Sequence, residues 1–270
     1  MTQSSPQSSP QSSPQSSPGS PRAALVTGGA QRIGRAIALT LAQRGYAVAV
    51  QMRRSRAQAD RLCAEIASAG GRAAAVAADL ADHAAVLRLV PDAAAAVGPL
   101  TLLVNNAAEF EPDEIGHLDR ERFDRHFAVN LRAPLFLAQA FAAQLPVGAD
   151  GAVVNLLDQR VYKPTPRFLS YGLTKSALHA ATTTLAQALA PRIRVNAVAP
   201  GPTLPSPRQD AQAFARQVRA LPLDRGPSPQ DIADAVLYLA SAHSVTGVTI
   251  TVDGGQHLAW RADAGAEIEE

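Results

Sequence analysis

Cysteine and long apolar runs are scarce in this chain of 270 residues, and each scarcity excludes a class of protein. Cys63 is the only cysteine, so no disulfide can form within the chain. No apolar run reaches the roughly 18 residues that a membrane-spanning helix needs. The six histidines form no HxH or HxxxH pair, so no metal site is expected. We predict a soluble protein of a reducing compartment, the cytoplasm, with neither metal nor membrane segment.

The charge of the chain is nearly balanced and its basic residues are dispersed. The formal net charge is +2, and the arginines form no basic run of the kind that marks a nucleic-acid-binding surface. With 47% hydrophobic residues, the chain can bury one large core. We therefore predict a single domain that acts on a small molecule and binds no nucleic acid.

The first 21 residues differ from the rest in composition. Residues 2–20 repeat Ser-Ser-Pro-Gln and contain no hydrophobic residue, so burial cannot offset the entropy lost on ordering them. We predict a disordered tail over residues 1–21 and a folded domain over residues 22–270. The tail has neither the charged start nor the apolar core of a signal peptide, so export is not expected.

Short apolar segments alternate with helical patterns from residue 22 onward. This alternation is typical of a parallel sheet with helices on both faces, and such sheets bind ligands at the carboxyl ends of their strands. The predicted strands are 23–27, 46–51, 72–77, 100–104, 152–157, 193–197 and 248–252, and the predicted helices include 56–69, 82–97, 210–220 and 229–241.

A glycine-containing turn joins the first strand to the first helix. Gly28 opens the turn, Gly34 lies in the helix that follows, and Ile33, Ile37 and Leu41 give that helix its apolar face. Glycines let the backbone approach a pyrophosphate, and the start of a helix supplies N–H donors. The turn therefore predicts a dinucleotide-binding site.

Two arginines follow the second strand, where NAD-binding proteins carry an acidic residue. That residue, about 20 positions after the glycine turn, hydrogen-bonds the ribose 2′-hydroxyl. Arg53 and Arg54, helped by Ser55, suit a 2′-phosphate instead, because guanidinium groups pair with phosphate oxygens in a fork. We predict NADPH/NADP+ as the cofactor.

Tyr171 and Lys175 are spaced one helical turn apart. Only two of the 25 basic residues are lysines, so an accidental Tyr-x-x-x-Lys pair is expected about 0.03 times in a chain of this composition. A cation beside a phenol favours the phenolate and lowers the pKa of the tyrosine. The pair predicts an acid/base device, and Asp158 precedes it on the loop that leaves the fifth strand.

Seven features, in this order, resemble the short-chain dehydrogenase/reductase family over residues 22–260. They are Thr27-Gly28 with Gly34, Asp79, Asn105-Asn106-Ala107, Asn130, Tyr171-xxx-Lys175, Pro200-Gly201 and Val252-Asp253-Gly254-Gly255. The resemblance implies a single Rossmann-type, doubly wound α/β domain whose seven-stranded parallel sheet has the order 3-2-1-4-5-6-7. It also implies an NADP-dependent oxidoreductase that forms a homotetramer.

The resemblance further implies roles for individual residues. Tyr171 would donate a proton, Lys175 would hold the nicotinamide ribose and lower the pKa of Tyr171, and Asn130 would support a proton-relay water. Cofactor contacts are implied for Gly28, Arg32, Ile33, Gly34, Arg53, Arg54, Ser55, Asp79, Leu80, Asn106, Ala107, Tyr171, Lys175, Pro200 and Gly201.

Two departures from the family pattern resemble its pteridine reductase branch. Arg32 replaces the middle glycine of TGxxxGxG, and Asp158 replaces the serine expected thirteen residues before the tyrosine. Arg54-Ser55, Phe110 and the ending at 253–258 are similar to the same branch. There, Phe110 would stack on a pteridine against the nicotinamide. Arg32 would contact cofactor phosphate or the polar edge of the substrate.

An aspartate at position 158 changes the chemistry that a serine would support. An ionised carboxylate only accepts hydrogen bonds and would repel the alkoxide that forms from a ketone, whereas a pteridine offers N–H donors. The hypothesis is that NADPH delivers hydride to C6 of a 7,8-dihydropteridine while Tyr171, with Asp158 nearby, protonates N5. The substrate site is therefore predicted at Phe110, Asp158 and Tyr171.

Two other functions stay open at this point. One is NADPH-dependent reduction of another carbonyl or imine, such as a 3-oxoacyl compound, and the other is a weakly catalytic NADP(H)-binding protein whose tail recruits partners. The proline-rich segment 202–225 is predicted to be a partly mobile lid over the substrate. Its Arg208, which could meet a substrate carboxylate, is left outside the predicted site. Arg160, Tyr162 and Arg167 before the tyrosine are also left out, because loop arginines are more often solvated.

Overall fold

The computed structural model describes residues 22–206 and 208–259, which are organised on one seven-stranded parallel sheet. Its strand order is β3-β2-β1-β4-β5-β6-β7, which confirms the predicted order and the Rossmann-type fold. The strands are β1 (Ala23–Val26), β2 (Ala47–Met52), β3 (Arg72–Ala77), β4 (Leu102–Asn105), β5 (Gly151–Leu156), β6 (Ile193–Pro200) and β7 (Thr249–Val252).

Eight α-helices connect these strands in the part of the chain that the structure describes. Side chains cap several of them: Asp82, for example, accepts a hydrogen bond from the amide of Ala84, and Ser228 forms a reciprocal capping box with Asp231. The helices are α1 (Arg32–Gln43), α2 (Arg56–Ser68), α3 (His83–Val97), α4 (Arg120–Phe127), α5 (Ala133–Gln144), α6 (Leu169–Leu189), α7 (Ala211–Arg219) and α8 (Pro229–Ser241).

The two faces of the sheet bury two separate apolar clusters. Side chains alternate along a strand, so Ala23 and Leu25 of β1 pack with α3 and α5 on one face, and Ala24 and Val26 pack with α1, α2 and α8 on the other. Because both faces are covered, β1, β2, β4 and β5 are buried along their whole length. The apolar strand segments in the sequence reflect this double burial.

The predicted element bounds differ from the observed ones mainly at two places. Strand β6 runs to Pro200, three residues beyond the predicted end. The sequence also predicts a helix that carries Phe123, Phe127 and Asn130. At Asn130 the structure has instead a π-helical turn, Ala128–Arg132, between α4 and α5. A π-helical turn shifts the register of the side chains that follow it, and no periodicity in the sequence indicates it. The predicted tail, Pro207 and residues 260–270 lie outside the described residues.

The direction of chain progression reverses between β1 and β4, which are neighbours in the sheet. In such sheets the loops that leave the two strands diverge and open a crevice at their carboxyl ends. The glycine turn after β1 and the segment after β4 line this crevice. The fold therefore places both predicted cofactor elements at one point.

A buried polar ladder links the sheet to α6, the helix that carries Tyr171 and Lys175. Asn105 Nδ2 donates to Asn155 Oδ1 at 2.9 Å, and Asn155 Nδ2 donates to Thr182 Oγ1 at 3.0 Å. The Thr182 hydroxyl in turn donates to the carbonyl of Leu178 at 2.8 Å. Asn155 and Thr182 are each at most 1% exposed, so the ladder fixes the position of α6 over β5.

Replacing Thr182 with valine is expected to destabilise the protein. The change keeps the side-chain shape but removes the acceptor of a buried amide, which costs about 1–3 kcal/mol in the free energy of unfolding. Thr183 is the matched control, because it is exposed on the same helix, and Thr183→Val should change that free energy by less than about 0.5 kcal/mol. Urea unfolding measures both, and equal effects would contradict the role of the ladder.

Candidate active site

A cleft of about 620 Å³ opens at the carboxyl ends of the central strands. Most of the predicted site residues contribute to its lining. They are Gly28, Arg32, Ile33, Gly34, Arg53, Arg54, Ser55, Asp79, Leu80, Asn106, Ala107, Phe110, Asp158, Tyr171, Lys175, Pro200 and Gly201. Asn130 is absent from this lining.

The glycine turn is held tightly against the loop after β4. Gly28 has a φ of +62°, and a Cβ added at Gly34 would lie 2.2 Å from the Gly28 carbonyl oxygen, so no larger residue fits there. Asn106 Nδ2 donates to the Thr27 carbonyl at 2.8 Å, and Gln51 Oε1 accepts from the Gly28 amide at 2.7 Å. The result is a bare backbone surface at the start of α1, which suits an anionic group.

Arg32 keeps the backbone conformation that a glycine would adopt without strain. Its φ is +52°, a left-handed conformation that costs a non-glycine residue about 1–2 kcal/mol. Its guanidinium donates to the carbonyls of Leu204 and Pro205 at 3.3 and 3.1 Å. In this structure Arg32 therefore connects the glycine turn to the segment after β6. The expected contacts of Arg32 with cofactor phosphate or substrate stay a prediction.

The end of the cleft beside β2 and β3 is lined by side chains of alternating charge. Glu109 Oε1 accepts from Arg53 at 2.6 Å and from Arg125 at 2.7 Å, and Arg125 also contacts Asp79 at 3.2 Å. These side chains come from the ends of β2 and β3, from the loop after β4 and from α4. Arg54 is exposed at the same rim. Glu109 and Arg125 were not predicted from the sequence, because ion pairs between distant segments leave no local pattern.

Asp158, Tyr171 and Lys175 meet at the inner end of the cleft. The Tyr171 hydroxyl donates to Asp158 Oδ2 at 3.0 Å. Lys175 Nζ donates to the Leu156 carbonyl at 2.7 Å and lies 5.6 Å from the centre of the Tyr171 ring. Tyr171 and Lys175 are 6% and 2% exposed, so a charge here is poorly solvated.

Arg160 completes this group, although the sequence analysis assigned it to solvent. Its Nη1 lies 3.1 Å from Asp158 Oδ2, the oxygen that also accepts from Tyr171, and its amide donates to Asp158 Oδ1 at 2.8 Å. The guanidinium is 7% exposed at the side chain. A short 3₁₀ turn, Gln159–Val161, rotates Arg160 inward. Tyr162 and Arg167 on the same loop are exposed, as expected.

The pKa values of the acid/base pair are shifted by burial and by Asp158. Burial, followed by the negative charge of Asp158, raises the pKa of Tyr171 well above its usual value, and Arg160 opposes this. Burial lowers the pKa of Lys175 to about 8, and Asp158 partly restores it. The direction for Tyr171 is opposite to the one expected from Lys175 alone, because burial disfavours the phenolate and the Asp158 carboxylate adds to this effect.

Two parallel aromatic rings form one wall beside Tyr171. Phe110 stacks on Phe168 with ring centres 4.3 Å apart and meets the Tyr171 ring edge-on at 4.7 Å. The guanidinium groups of Arg160 and Arg208 both lie within 6 Å of these two ring centres. Phe168 was not predicted; it is 3% exposed and has a φ of +57°, and no sequence pattern marks such a conformation.

Arg208 is exposed and yet paired within the protein. It donates to the carboxylate of Glu111 at 3.0 Å and to the Phe110 carbonyl at 2.9 Å. These contacts join the segment after β6 to the loop that carries Phe110. The predicted lid therefore makes at least these contacts across the cleft.

Asn130 lies next to the cleft, in the π-helical turn. Its Oδ1 accepts from the Glu109 amide at 2.8 Å, and its Nδ2 donates to the Glu109 carbonyl at 2.9 Å and to Thr174 Oγ1 at 3.2 Å. The side-chain amide thus holds the backbone of the Glu109 loop. Its predicted support of a relay water stays a prediction, and the side chain would have to leave these partners to contact that water directly.

Comparison with known proteins places the chain in a family. A model of the short-chain dehydrogenases/reductases, described as enoyl-(acyl carrier protein) reductase, matches residues 28–257. The chain belongs to the short-chain dehydrogenase/reductase family. It is an oxidoreductase with the fold and the Tyr-x-x-x-Lys pair that the sequence analysis described.

Three relatives illustrate the range of its similarities. A crystal structure of FolM alternative dihydrofolate reductase 1 from Brucella canis, complexed with NADP, is 50% identical, with a TM-score of 0.87 over 91% of this chain and 97% of the other. An uncharacterized oxidoreductase of Methylorubrum extorquens is 38% identical over 87% of this chain and 97% of its own length. The 3-oxoacyl-[acyl-carrier-protein] reductase FabG of Staphylococcus aureus is 34% identical over 88% and 98%.

A membrane-spanning helix and a metal-binding cluster are both absent from the described residues. No helix among residues 22–206 and 208–259 is long and apolar enough to cross a membrane. In the same part of the chain, no group of three or more His, Cys, Asp and Glu side chains is arranged to hold a metal ion.

Replacing Asp158 with asparagine is expected to lower the pKa of Tyr171. The change removes the carboxylate that disfavours the phenolate and leaves the Arg160 cation in place. Ultraviolet difference absorbance follows tyrosinate formation, with Tyr171→Phe identifying the contribution of Tyr171 among the four tyrosines. Asp60→Asn, on the exposed face of α2, is the control and should leave the titration unchanged. An unchanged or higher pKa in Asp158→Asn would contradict the assigned electrostatics.

Proposed function

We propose that this protein uses NADPH to reduce a 7,8-dihydropteridine to its tetrahydro form. The observation that carries the proposal is the Asp158 carboxylate hydrogen-bonded to the Tyr171 hydroxyl beside the aromatic wall of Phe110. The similarity to the Brucella canis enzyme, named an alternative dihydrofolate reductase, supports it.

The residues of the cleft fit NADP(H). The close approach of Gly34 to the Gly28 carbonyl leaves bare backbone for a pyrophosphate. Arg53, Arg54 and Ser55 at the end of β2 would hold the 2′-phosphate, and Lys175 would hold the nicotinamide ribose. The cofactor supplies a hydride when it is bound. The Brucella canis structure, which is complexed with NADP, supports this assignment.

Arg53 would have to change partners to reach a phosphate. In the structure its guanidinium is paired with Glu109, which Arg125 also binds. A 2′-phosphate carries more negative charge than a carboxylate and offers three acceptor oxygens, so it can compete for Arg53, whereas a 2′-hydroxyl cannot. Arg125 keeps Glu109 compensated when Arg53 leaves. The network therefore favours NADPH over NADH.

The substrate side of the cleft favours a planar ring with N–H donors. An ionised Asp158 can accept hydrogen bonds from such donors, and it would repel the alkoxide that forms during ketone reduction. Phe110 offers an aromatic face for stacking. Arg160 compensates the charge of the Asp158 carboxylate, whose side chain is 15% exposed.

Tyr171 is placed to donate the proton. Its raised pKa keeps the phenol protonated. The single phenol proton is donated to Asp158 at 3.0 Å and would turn from this carboxylate to N5 of a bound substrate. When Tyr171 gives its proton to N5, Lys175 stabilises the phenolate that forms. Asn130 would act by holding the Glu109 loop beside α6. In this scheme Asp158 and Arg160 set the charge of the site.

A carbonyl substrate such as a 3-oxoacyl compound is the second candidate. The 34% identity to a 3-oxoacyl-[acyl-carrier-protein] reductase favours it. It differs from the first candidate at one position that can be tested, because a ketone reductase is expected to work better with a serine than with Asp158.

We also propose a homotetramer that works in the cytoplasm. Helix α5 is apolar around most of its circumference, and Leu135 and Phe136 remain only partly buried in one chain. A helix with apolar residues on all sides is normally covered on all sides, so a second copy is the expected partner. Light scattering after gel filtration measures the mass of the assembly, and a monomer would refute this part of the proposal. The single cysteine fits a reducing compartment.

Replacing Arg53 and Arg54 with alanine is expected to weaken NADPH binding without weakening NADH binding. Each lost charge-assisted contact with the 2′-phosphate should raise the Kd for NADPH by roughly 10–100-fold. Arg61, exposed on α2, is the control, and Arg61→Ala should bind both cofactors as the wild type does. Fluorescence titration measures the Kd values of the wild type, the double variant and Arg61→Ala for NADPH and for NADH. Equal losses for NADPH and NADH would refute the 2′-phosphate assignment.

Substrate choice is tested by NADPH oxidation with 7,8-dihydrobiopterin, 7,8-dihydromonapterin, dihydrofolate and a β-ketoester. We expect turnover of pterin substrates, a loss of at least roughly 100-fold in kcat for Tyr171→Phe, and a loss in Asp158→Ser. Turnover of the β-ketoester alone, preserved or improved in Asp158→Ser, would instead establish the carbonyl reductase. Tight NADPH binding without turnover of any of the four would refute both.

A further inference from the structure

Three buried polar side chains lie behind Tyr171 and take no part in the proposed reaction. They are His126 on α4, Ser170 at the start of α6 and Asp113 on the loop after Phe110. Their exposed fractions are 1%, 0% and 6%. Buried polar groups are costly unless they are paired, so their grouping calls for an explanation beyond packing.

The hydrogen bonds of this group determine which nitrogen of His126 carries the proton. The Asp113 carboxylate accepts from the Ser170 hydroxyl through a very short contact and from the Ser170 amide at 3.1 Å. Since the single Ser170 proton goes to Asp113, the Ser170 oxygen must accept from His126 Nδ1, which is 2.5 Å away. At the other side of the ring, His126 Nε2 accepts from the Glu111 amide at 3.2 Å. Both ends therefore specify a neutral imidazole with its proton on Nδ1.

This arrangement is not that of a hydrolytic triad. There the histidine lies between the carboxylate and the hydroxyl, whereas here the hydroxyl lies between the other two. Ser170 is fully buried, so no substrate can reach it. The group is better explained by what it connects.

The group joins the two segments that supply the aromatic wall and the tyrosine. Glu111, whose amide binds His126, directly follows Phe110, and Ser170 directly precedes Tyr171. The Leu169 amide also donates to the Asp113 carbonyl at 3.2 Å. We propose that His126, Ser170 and Asp113 are positioning residues that hold the Phe110 loop on the tyrosine helix, and that the Glu111 end of this loop is held only while His126 is neutral.

Protonation of His126 would break one specific contact. A protonated imidazole carries N–H groups on both nitrogens, so Nε2–H would face the Glu111 N–H and the acceptor would be lost. The bond between Nδ1 and Ser170 is unaffected by this change. The expected result is release of the Glu111 end of the loop, and with it Phe110, while α6 stays in place.

The surroundings of His126 shift its pKa in opposite directions. Burial is the main cause that lowers its pKa, and Arg122 on α4 adds to it; Asp113, Glu109 and Glu111 on the facing loop raise it. From α6, the group presents the Ser170 hydroxyl and the Tyr171 ring, whose centre is 6.4 Å away. Because the folded pKa lies below the unfolded value, the contribution to stability is full above the unfolded pKa and is lost as pH falls through the folded pKa.

This inference rests on the proposed function and deepens it, because the lock makes the aromatic wall of Phe110 sensitive to acid. Below the pKa of His126 the KM for a substrate that stacks on Phe110 should rise, while kcat at saturation changes less because Tyr171 stays on its helix. Two measurements test the lock itself without any substrate, so its failure is separable from failure of the reductase proposal.

The first measurement is the imidazole tautomer, observed by ¹⁵N NMR of histidine-labelled protein. Two histidines should carry a proton on Nδ1. His257 Nδ1 lies 2.7 Å from Asp253 Oδ2, a carboxylate oxygen that accepts from it, and His126 is the second. We expect Ser170→Ala to change the Nδ1–H signal of His126 and to leave that of His257 in place. Spectra in which neutral His126, identified by the loss of its signals in His126→Gln, is protonated on Nε2 would overturn the proposal.

The second measurement is hydrogen exchange of the Glu111 amide at about pH 4.5 and 7.5, corrected for the intrinsic pH dependence of exchange. The acid value lies about two pH units below the ordinary pKa of histidine, because burial lowers the pKa of His126. In the wild type, exchange should be roughly fivefold faster in acid, the effect of losing one hydrogen bond. His126→Gln keeps an acceptor near the Nε2 position and cannot titrate, so exchange should be slow at both pH values. His126→Asn keeps a donor near Nδ1 but has no acceptor that reaches Glu111, so exchange should be fast at both.

His117 provides the control for these variants. It is exposed on the segment before α4, and His117→Gln should show the wild-type acid response. The same acid response in His126→Gln as in the wild type would overturn the proposal. If one His126 variant does not fold, the other and the wild-type tautomer still decide the outcome.

Discussion

The carboxylate of Asp158, shared between the Tyr171 hydroxyl and the Arg160 guanidinium, determines the electrostatics of this site. The side chain of Asp158 is only 15% exposed, and the cation compensates its charge. Burial, and after it this carboxylate, keeps the tyrosine protonated, against the effect that a neighbouring lysine has by itself. Burial is needed at each step, because these interactions weaken in water. The sheet and α6 supply that burial.

Much of the fold was predictable because its information is local. Strands covered on both faces are continuous apolar segments, and the glycine turn, the alternating helices and the Tyr171 spacing are short-range patterns. The proximity of Asp158 to Tyr171 was also predictable, because a strand end and a helix start are joined by one loop. The position of Arg160 was not, since a 3₁₀ turn of three residues decides whether that side chain faces solvent or the cleft.

What the sequence could not predict depends on contacts between distant segments. Glu109 pairs with Arg53 and Arg125, which lie 56 and 16 residues away. Phe168 stacks on Phe110 through a left-handed backbone conformation that bulky residues rarely adopt. The π-helical turn at Asn130 is equally hidden. In each case the tertiary structure selects a local state that the residue itself does not favour.

The buried ammonium of Lys175 has a consequence for the stability of the whole chain. Its pKa is about 8 in the fold and near 10.5 in the unfolded chain, so between these pH values the unfolded chain binds more protons. The contribution of Lys175 to the free energy of unfolding therefore rises with pH across this interval. At neutral pH the fold carries an ammonium group whose burial costs stability. Loss of this charge at alkaline pH removes that cost and also removes the cation that the proposed chemistry uses, so at this residue stability and activity have opposite dependences on pH.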